Sequence, residues 1–379
     1  MANRIIYLDN AATTLVNPEV LSTYNQVIAT YFANPSSIHA EGQKANRLLD
    51  KAREQILNCL NLPNHEVIFT SGATEANNLA IKGYCLEHQT RGKHIIVSNV
   101  EHPSVLESAK WLEKFGFEVT YLPVNSKGII EVETLKKAIT KDTILVSIMA
   151  VNNETGAVNP IEDIAKVLKD YPKIAFHVDA VQAIGKVDIS YRDVDMISIA
   201  GHKIHAMVGC GVLIKNKKVD IMAINSGGGQ ENNLRSGTSD VAMGASIAKA
   251  IRLVLQDTEA KRNKIKELYN FVKDYVLEHS DLYEINSTSE ENPYVFNFSL
   301  KTRKASVVVE ALSNQGIMIS SISACHSKGE PISYVVQAMG KDEILSHNTL
   351  RISFDEQNTI EDVKVFIEAL DKIVRGIKQ

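Results

Sequence analysis

Residues 196–215, MISIAGHKIHAMVGCGVLIK, decide the fold. An apolar, β-branched run (196–200) stops at Gly201–His202–Lys203, and a second apolar run (211–215) follows a glycine-bearing link. Both runs read as buried strands. A parallel pair would need a crossover of about a dozen residues or more, and the link 201–210 has no room for a crossover helix. The two strands are therefore expected to lie antiparallel. Lys203 is left at the end of an apolar strand, where an unpaired ammonium is costly to bury.

Upstream, the pattern changes to strands alternating with amphipathic stretches. The strand candidates are EVIFT (66–70), HIIVSNV (94–100), EVTYLP (118–123), ILVSIMAV (144–151) and IAFHVDAV (174–181). Helical stretches lie between most of them, at 74–89, 103–115, 132–139 and 161–170. Such spacing means βαβ units and an α/β fold with a mostly parallel, seven-stranded sheet. Downstream, a charged helix around 255–279 leads to the strand-like YVFNFSL, a helix at 305–315, the strand TLRISF and a helix at 360–376. This tail reads as a smaller α/β domain. A chain of 379 residues exceeds the roughly 250–300 at which one core stops growing. The expected division is a large domain at 13–255 and a small domain made of 1–12 and 256–379.

A net charge of −4 gives no electrostatic case for a nucleic-acid or membrane-surface partner. Four scattered cysteines, Cys59, Cys85, Cys210 and Cys325, form neither CxxC pairs nor a secreted disulfide framework. The first residues lack the charged and apolar regions of a signal peptide, and no apolar run approaches the ~20 residues of a membrane span. The expectation is a soluble protein of a reducing compartment, the cytoplasm.

In open parallel sheets ligands bind beyond the carboxyl ends of the strands. Here those ends carry Gly72–Ala73–Thr74, Glu101–His102, Asn152–Asn153, Asp179 with Gln182, and His202–Lys203. Taken singly, each has an ordinary reading. SGAT is also a helix N-cap, His102 a helix-start histidine, Asp179 a structural acceptor and Lys203 a solvated loop lysine. Gly227–Gly228–Gly229 lacks both GxGxxG and GK[ST] and is no dinucleotide or ATP signature. Jointly, a helix start for a phosphate, a carboxylate, a flat imidazole and a lysine fit pyridoxal 5'-phosphate (PLP). Lysine bonds the aldehyde, an acid holds the pyridine nitrogen protonated, and imidazole stacks and moves protons. Cys325 sits in the polar SSISACHSKGE (320–330), a loop by its punctuation. A neighbouring His or Lys lowers a thiol pKa from about 8.5, so Cys325 reads as an activated thiol or as a bystander.

The chain resembles the NifS/IscS-like cysteine desulfurases, within the PLP-dependent class V aminotransferases of fold type I. The resemblance is carried by YLDNAATT (7–14), NPSSIHAEG (34–42), TSGATEANNLA (70–80), EHPSV (101–105), VNNETGAVNPI (151–161), HVDAVQAIGK (177–186), GHKIH (201–205), RSGTSDV (235–241), SACHSK (323–328) and LRISF (350–354). It implies conversion of L-cysteine to L-alanine with the sulfur passed to a persulfide on Cys325. By the same resemblance Lys203 bonds PLP, His102 stacks on it and Asp179 faces its ring nitrogen. Asn152 and Gln182 contact the phenolic oxygen, and Asn152 also the substrate. Ala73, Thr74 and His202 hold the phosphate with Thr238 from the second subunit of a homodimer, and Arg351 pairs with the substrate carboxylate. No metal is implied. The partner would be a sulfur acceptor, either a tRNA-thiolation enzyme, which SACHSK resembles more closely, or an iron–sulfur scaffold.

The chain departs from that pattern in several places, among them Ala206 for a usual glycine and a cysteine loop one residue shorter before Glu330–Pro331. Ala200 replaces a usual serine, Val208 a usual lysine and Asn232–Asn233 a usual Arg-Gly. Phe354–Asp355 replaces Leu-Gly, expected to add a negative charge near the substrate end. Two rival readings follow: another class V aminotransferase or lyase that needs no Cys325, and a scaffold of low activity that binds a sulfur acceptor.

Overall fold

The computed structural model describes residues 4–321 and 332–376. Its strands, in chain order, are β1 (Ile6–Tyr7), β2 (His65–Thr70), β3 (His94–Ser98), β4 (Glu118–Leu122), β5 (Thr143–Met149), β6 (Ala175–Asp179), β7 (Met196–Ala200), β8 (Gly211–Asn216), β9 (Tyr283–Ile285), β10 (Val295–Leu300), β11 (Ile317–Met318) and β12 (Thr349–Ser353). Seven of them form one sheet in the order β2-β8-β7-β6-β5-β3-β4. Strands β7, β6, β5, β3 and β4 run parallel, and β8 opposes both of its neighbours. The short 201–210 link thus closes the antiparallel pair that its length required, with Ile197 opposite Ile214.

Every residue of β3, β5, β6 and β7 is buried, as in a parallel sheet covered on both faces. Alternate side chains serve different cores. Ile96, Val146 and Val178 pack with Ile161 and Ile164 of the helix Ile161–Leu168. Ile95, Val97 and Leu145 pack with Val105 and Ala109 of the helix Pro103–Glu113. The stretch expected to be helical at 74–89 is one helical run, Ala73–Asn78 and Tyr84–His88 joined through a π-turn at Leu79–Gly83. Helices Pro18–Thr30, Ala40–Leu60 and Val241–Val254, which strand-and-helix alternation did not reveal, add a third packing layer around Leu49 and Val241.

A second sheet, β12-β10-β9, is antiparallel. It buries Phe296, Phe298 and Ile352 with residues of the helices Thr258–Glu278 and Ile360–Arg375. The last helix opens with a reciprocal cap between Thr359 and Asp362, which satisfies two of its orphan N–H groups. Ile6 and Leu8 of the N-terminal segment join this second core, and β1 pairs with β11. The N-terminal segment then crosses towards the large sheet: Asn10 Nδ2 donates to the Ser353 carbonyl at 2.9 Å, and the Thr14 N–H donates to the His202 carbonyl at 2.9 Å. Among the described residues no helix is long and apolar enough to cross a membrane.

One buried carboxyl ties two sheet strands together. Glu101 Oε1 accepts from Ser98 Oγ at 2.6 Å and from the Met149 N–H at 2.8 Å. Burial outweighs these bonds and pushes the Glu101 carboxyl up to about 8, so the folded protein holds it protonated at neutral pH.

Two outcomes follow from this packing. Phe298 is fully buried and meets Tyr283 edge-on at 5.6 Å between ring centroids. Phe298→Ala is expected to cost about 3–5 kcal/mol, read from chemical denaturation. For Glu101 the raised folded pKa means that its stabilising contribution is complete below the unfolded value and is lost as pH rises to about 8. Glu101→Gln should therefore gain thermal stability relative to the native protein between roughly pH 4.5 and 8, with a constant difference above. A difference independent of pH would show that Glu101 is ionised in the folded chain.

Candidate active site

The topology puts the carboxyl ends of β2, β3, β5, β6 and β7 on one edge of the large sheet, and the residues that follow these strands line a cavity of about 430 Å³. That is within the range of small-molecule sites. Lys203 follows β7 on a short 3-10 turn, and its ammonium donates to the carbonyls of Ala11 and Ala12, each at 2.6 Å. Asp179 ends β6 and is 5% exposed. Its Oδ1 accepts from the Val181 N–H at 3.0 Å and its Oδ2 from Asn77 Nδ2 at 2.8 Å. Asn77 also donates to Ser104 Oγ at 2.9 Å, and Ser104 Oγ lies 2.8 Å from His102 Nδ1. The Ser104 N–H donates to that same Nδ1 at 3.1 Å. A backbone N–H can only donate, so Nδ1 is the acceptor and a neutral His102 carries its proton on Nε2. Carboxylate and imidazole are thus oriented by one chain of bonds.

The helical run from Ala73 to His88 begins at the cavity wall with Ser71–Gly72–Ala73–Thr74. N–H groups of a first helical turn lack intrahelical partners and suit an anion. Gly72 has φ 155°, and a side chain on Gly211 of β8 would come within 2.6 Å of the Gly72 Cα. Glycine at 211 is what lets the helix start approach the sheet. His202 also lines the cavity. Burial, with the charge of Lys203 next, drives its imidazole down to about 4, so it is neutral at physiological pH.

Arg351 enters from β12 of the second sheet and is 3% exposed. Its guanidinium donates to the Asn153 carbonyl and to Asp9 Oδ1, both at 2.8 Å. Among the described residues its Nε has no partner, and neither has the side-chain oxygen of Asn153. The orphaned Arg351 Nε–H donor, with Lys203, Asp179 and a helix start on the same cavity, suits PLP and an anionic substrate in chemistry, and the cavity is of the right scale.

The candidates from sequence fall into four groups. Ala73, Thr74, His102, Asp179, Gln182, His202, Lys203 and Arg351 all line the one cavity. Asn152 does not. Its side chain is used up in a turn, donating to the Val100 carbonyl at 3.1 Å and accepting from the N–H groups of Glu154 at 2.9 Å and Thr155 at 3.0 Å. Its neighbour Asn153 lines the cavity instead. Asn-x-x-Thr-Gly at 152–156 carried the signal, because an Asn that caps its own turn has no amide left for a ligand. Thr238 lines an adjacent cavity of about 240 Å³, together with Ser71 and Gly209. The loop bearing it is anchored by Arg235 on Glu75 at 2.8 Å and by Ser239 on Glu231 at 2.8 Å. Cys325 lies outside the described residues. Cys85 and Cys210 are buried, which raises both thiol pKa values, that of Cys210 to about 12; among the described residues no cysteine lines the cavity.

The departures are equally specific. Ala200 is on the cavity wall and Val208, 72% exposed, at its margin. Asn232 and Asn233 sit in left-handed backbone away from it. Asp355 is not at the substrate cavity: it is buried beside a different, smaller cavity shared with Lys186 and Lys203. The turn after β12 carries its carboxylate away from the face that Arg351 presents.

The family profile of the Aminotransferase class-V matches residues 6–366. A NifS/IcsS protein homolog of Lactobacillus delbrueckii subsp. bulgaricus is 42% identical over 97% of both chains. Cysteine desulfurase IscS of Dictyoglomus turgidum is 38% identical over 99% of this chain and 96% of its own. A solved NifS-like protein superposes with a TM-score of 0.91 at 34% identity, over 99% of this chain and all of that one. With the cavity, the strand order and full-length similarity in agreement, the chain belongs to the class-V aminotransferases, a family of PLP-dependent fold type I enzymes.

Proposed function

We propose that this chain is a cysteine desulfurase, converting L-cysteine to L-alanine and passing the sulfur to Cys325. The observation that carries this reading is the convergence of Lys203, Asp179, His102 and the buried guanidinium of Arg351 on one cavity. PLP, when bound, supplies an electron sink for bond changes at the substrate α-carbon. Lys203 would hold the cofactor's aldehyde end and serve the proton at that carbon. Asp179 would keep the ring nitrogen protonated. His102 would flank the ring, with its proton on Nε2. Ala73, Thr74 and His202 would hold the phosphate, with Thr238 of a second copy. Gln182 would serve the phenolic oxygen, with Asn153 in the place assigned to Asn152. Arg351 binds the carboxylate of L-cysteine, a task that suits a guanidinium fork.

The Cys325 thiolate attacks the substrate sulfur. Its S–S bond forms as the substrate C–S bond breaks, leaving a Cys325 persulfide and, after protonation, alanine. The persulfide is delivered to a sulfur-acceptor protein, a tRNA-thiolation enzyme or an iron–sulfur scaffold. Scattered, unpaired cysteines support a reducing compartment, the cytoplasm. We divide the chain into a large lobe, 13–255, and a small lobe of 1–12 with 256–379, because the second core draws only on Ile6, Leu8 and residues from 265 onward. A homodimer is supported by the apolar Ile28, Phe32 and Ile38, of which Phe32 is 79% and Ile38 92% exposed; a second copy would cover them.

The deciding experiment is L-cysteine turnover by the PLP-loaded protein with a reductant, scoring alanine and sulfide. Equal amounts are expected, with sulfide lost in Cys325→Ala and turnover reduced by more than about 100-fold in Lys203→Ala. Full turnover in Cys325→Ala would favour another class V activity, and no turnover in the native protein would favour the acceptor-binding scaffold. The double variant Phe32→Asp, Ile38→Asp is expected to sediment as a monomer; an unchanged mass would place the dimer face elsewhere.

A further inference from the structure

Lys203 and Ala11 also line a second, smaller cavity of about 30 Å³, whose charged and titratable members are Lys186, His205, Tyr294, Asp355 and Glu356. Lys186 is half-buried by surface, yet its ammonium lies in the interior and donates to Gln182 Oε1 at 2.9 Å. An ammonium can only donate, so the amide end it meets is the carbonyl oxygen. Gln182 Nε2 therefore turns the other way and donates one hydrogen to the Ala11 carbonyl at 2.9 Å, while Gln182 itself lines the main cavity. Lys186 and the Ala11 carbonyl thus fix the amide in one orientation from its two ends.

Asp355 completes the arrangement. It is 7% exposed, stands where the family pattern carries glycine, and lies 3.8 Å from His205 Nδ1. Burial drives the Lys186 ammonium down to about 7, with Lys203 and Arg351 acting in the same direction, and the Asp355 carboxylate opposes them. The Asp355 carboxylate thus favours the charged form of Lys186.

We propose that Lys186 is a positioning residue for the cofactor, holding Gln182 as a donor and placing an amine group beside the Lys203–cofactor bond, with Asp355 across the same small cavity as its counter-charge. The proposal rests on the reading that Gln182 faces bound PLP.

The test is the pH titration of the visible band of the bound cofactor in the holoenzyme. Lys186→Met removes that amine and its charged form from beside the protonated bond, so its titration midpoint should rise by about one pH unit. Lys186→Arg should restore the native midpoint. Asp355→Asn should move the midpoint in the same direction as Lys186→Met, by less, because it acts through Lys186. Should Lys186→Met fail to fold, Lys186→Gln carries the same comparison. A midpoint unmoved in the Lys186 variants overturns the proposal, while native L-cysteine turnover leaves the desulfurase reading intact. A midpoint that falls in Asp355→Asn also overturns it, since Asp355 would then act directly on the Lys203–cofactor bond. A native protein with no visible band on adding PLP would sink both readings together.

Discussion

Two backbone carbonyls, those of Ala11 and Ala12, hold the Lys203 ammonium at 2.6 Å each. Much of the site depends on where those carbonyls are. The Ala11 carbonyl also receives Gln182, and two residues earlier Asp9 receives Arg351. The segment is in turn pinned to β12: the Ala11 N–H donates to Ser353 Oγ at 2.8 Å, and the Ser353 N–H donates to the Leu8 carbonyl at 2.7 Å. One short turn, closed by the Ala12 N–H on the Asp9 carbonyl at 3.0 Å, thus sets the lysine, the amide and the guanidinium against each other. Both acceptors are neutral carbonyls, which take hydrogen bonds from the lysine without adding charge to the site.

The buried polar network follows the same logic on the other wall. Asp179, Asn77, Ser104 and His102 are linked hydrogen bond by hydrogen bond. Buried polar groups are stable only when so linked, and the linkage fixes geometry as well as energy. An acid meant for a ring nitrogen and an imidazole meant for a ring face must hold a fixed relative orientation. Here that orientation belongs to the protein itself.

Much of this was legible in the sequence, for identifiable reasons. Strands β3, β5, β6 and β7 announce themselves because parallel, doubly covered strands are continuous apolar runs, and the 201–210 link was short enough to dictate an antiparallel pair. Lys203, Asp179 and His102 could be placed because they follow such runs directly. What failed was direction within a turn. Asn152 and Asn153 are adjacent and identical, and only the N–H groups of Glu154 and Thr155 decide which amide is consumed. Asp355 likewise follows Arg351 closely in sequence yet lines a different cavity. The pairing of β1 with β11 left no local trace, since two residues carry no periodicity. The helices Pro18–Thr30 and Ala40–Leu60 were obscured by polar residues spread around much of their surface, and packing against Val241–Val254 supplies what their pattern lacks.

The threading of the amino-terminal stretch has a consequence for biosynthesis. Ile6 and Tyr7 leave the ribosome long before their partners Ile317 and Met318, and before Ser353, which follows them. The large sheet can form during translation from contacts of moderate sequence separation, whereas the stretch that holds the lysine must wait for the carboxyl-terminal strands. A nascent chain therefore carries its lysine and acid long before it can hold them in place. Cofactor capture then has to wait for the synthesis of β11 and β12.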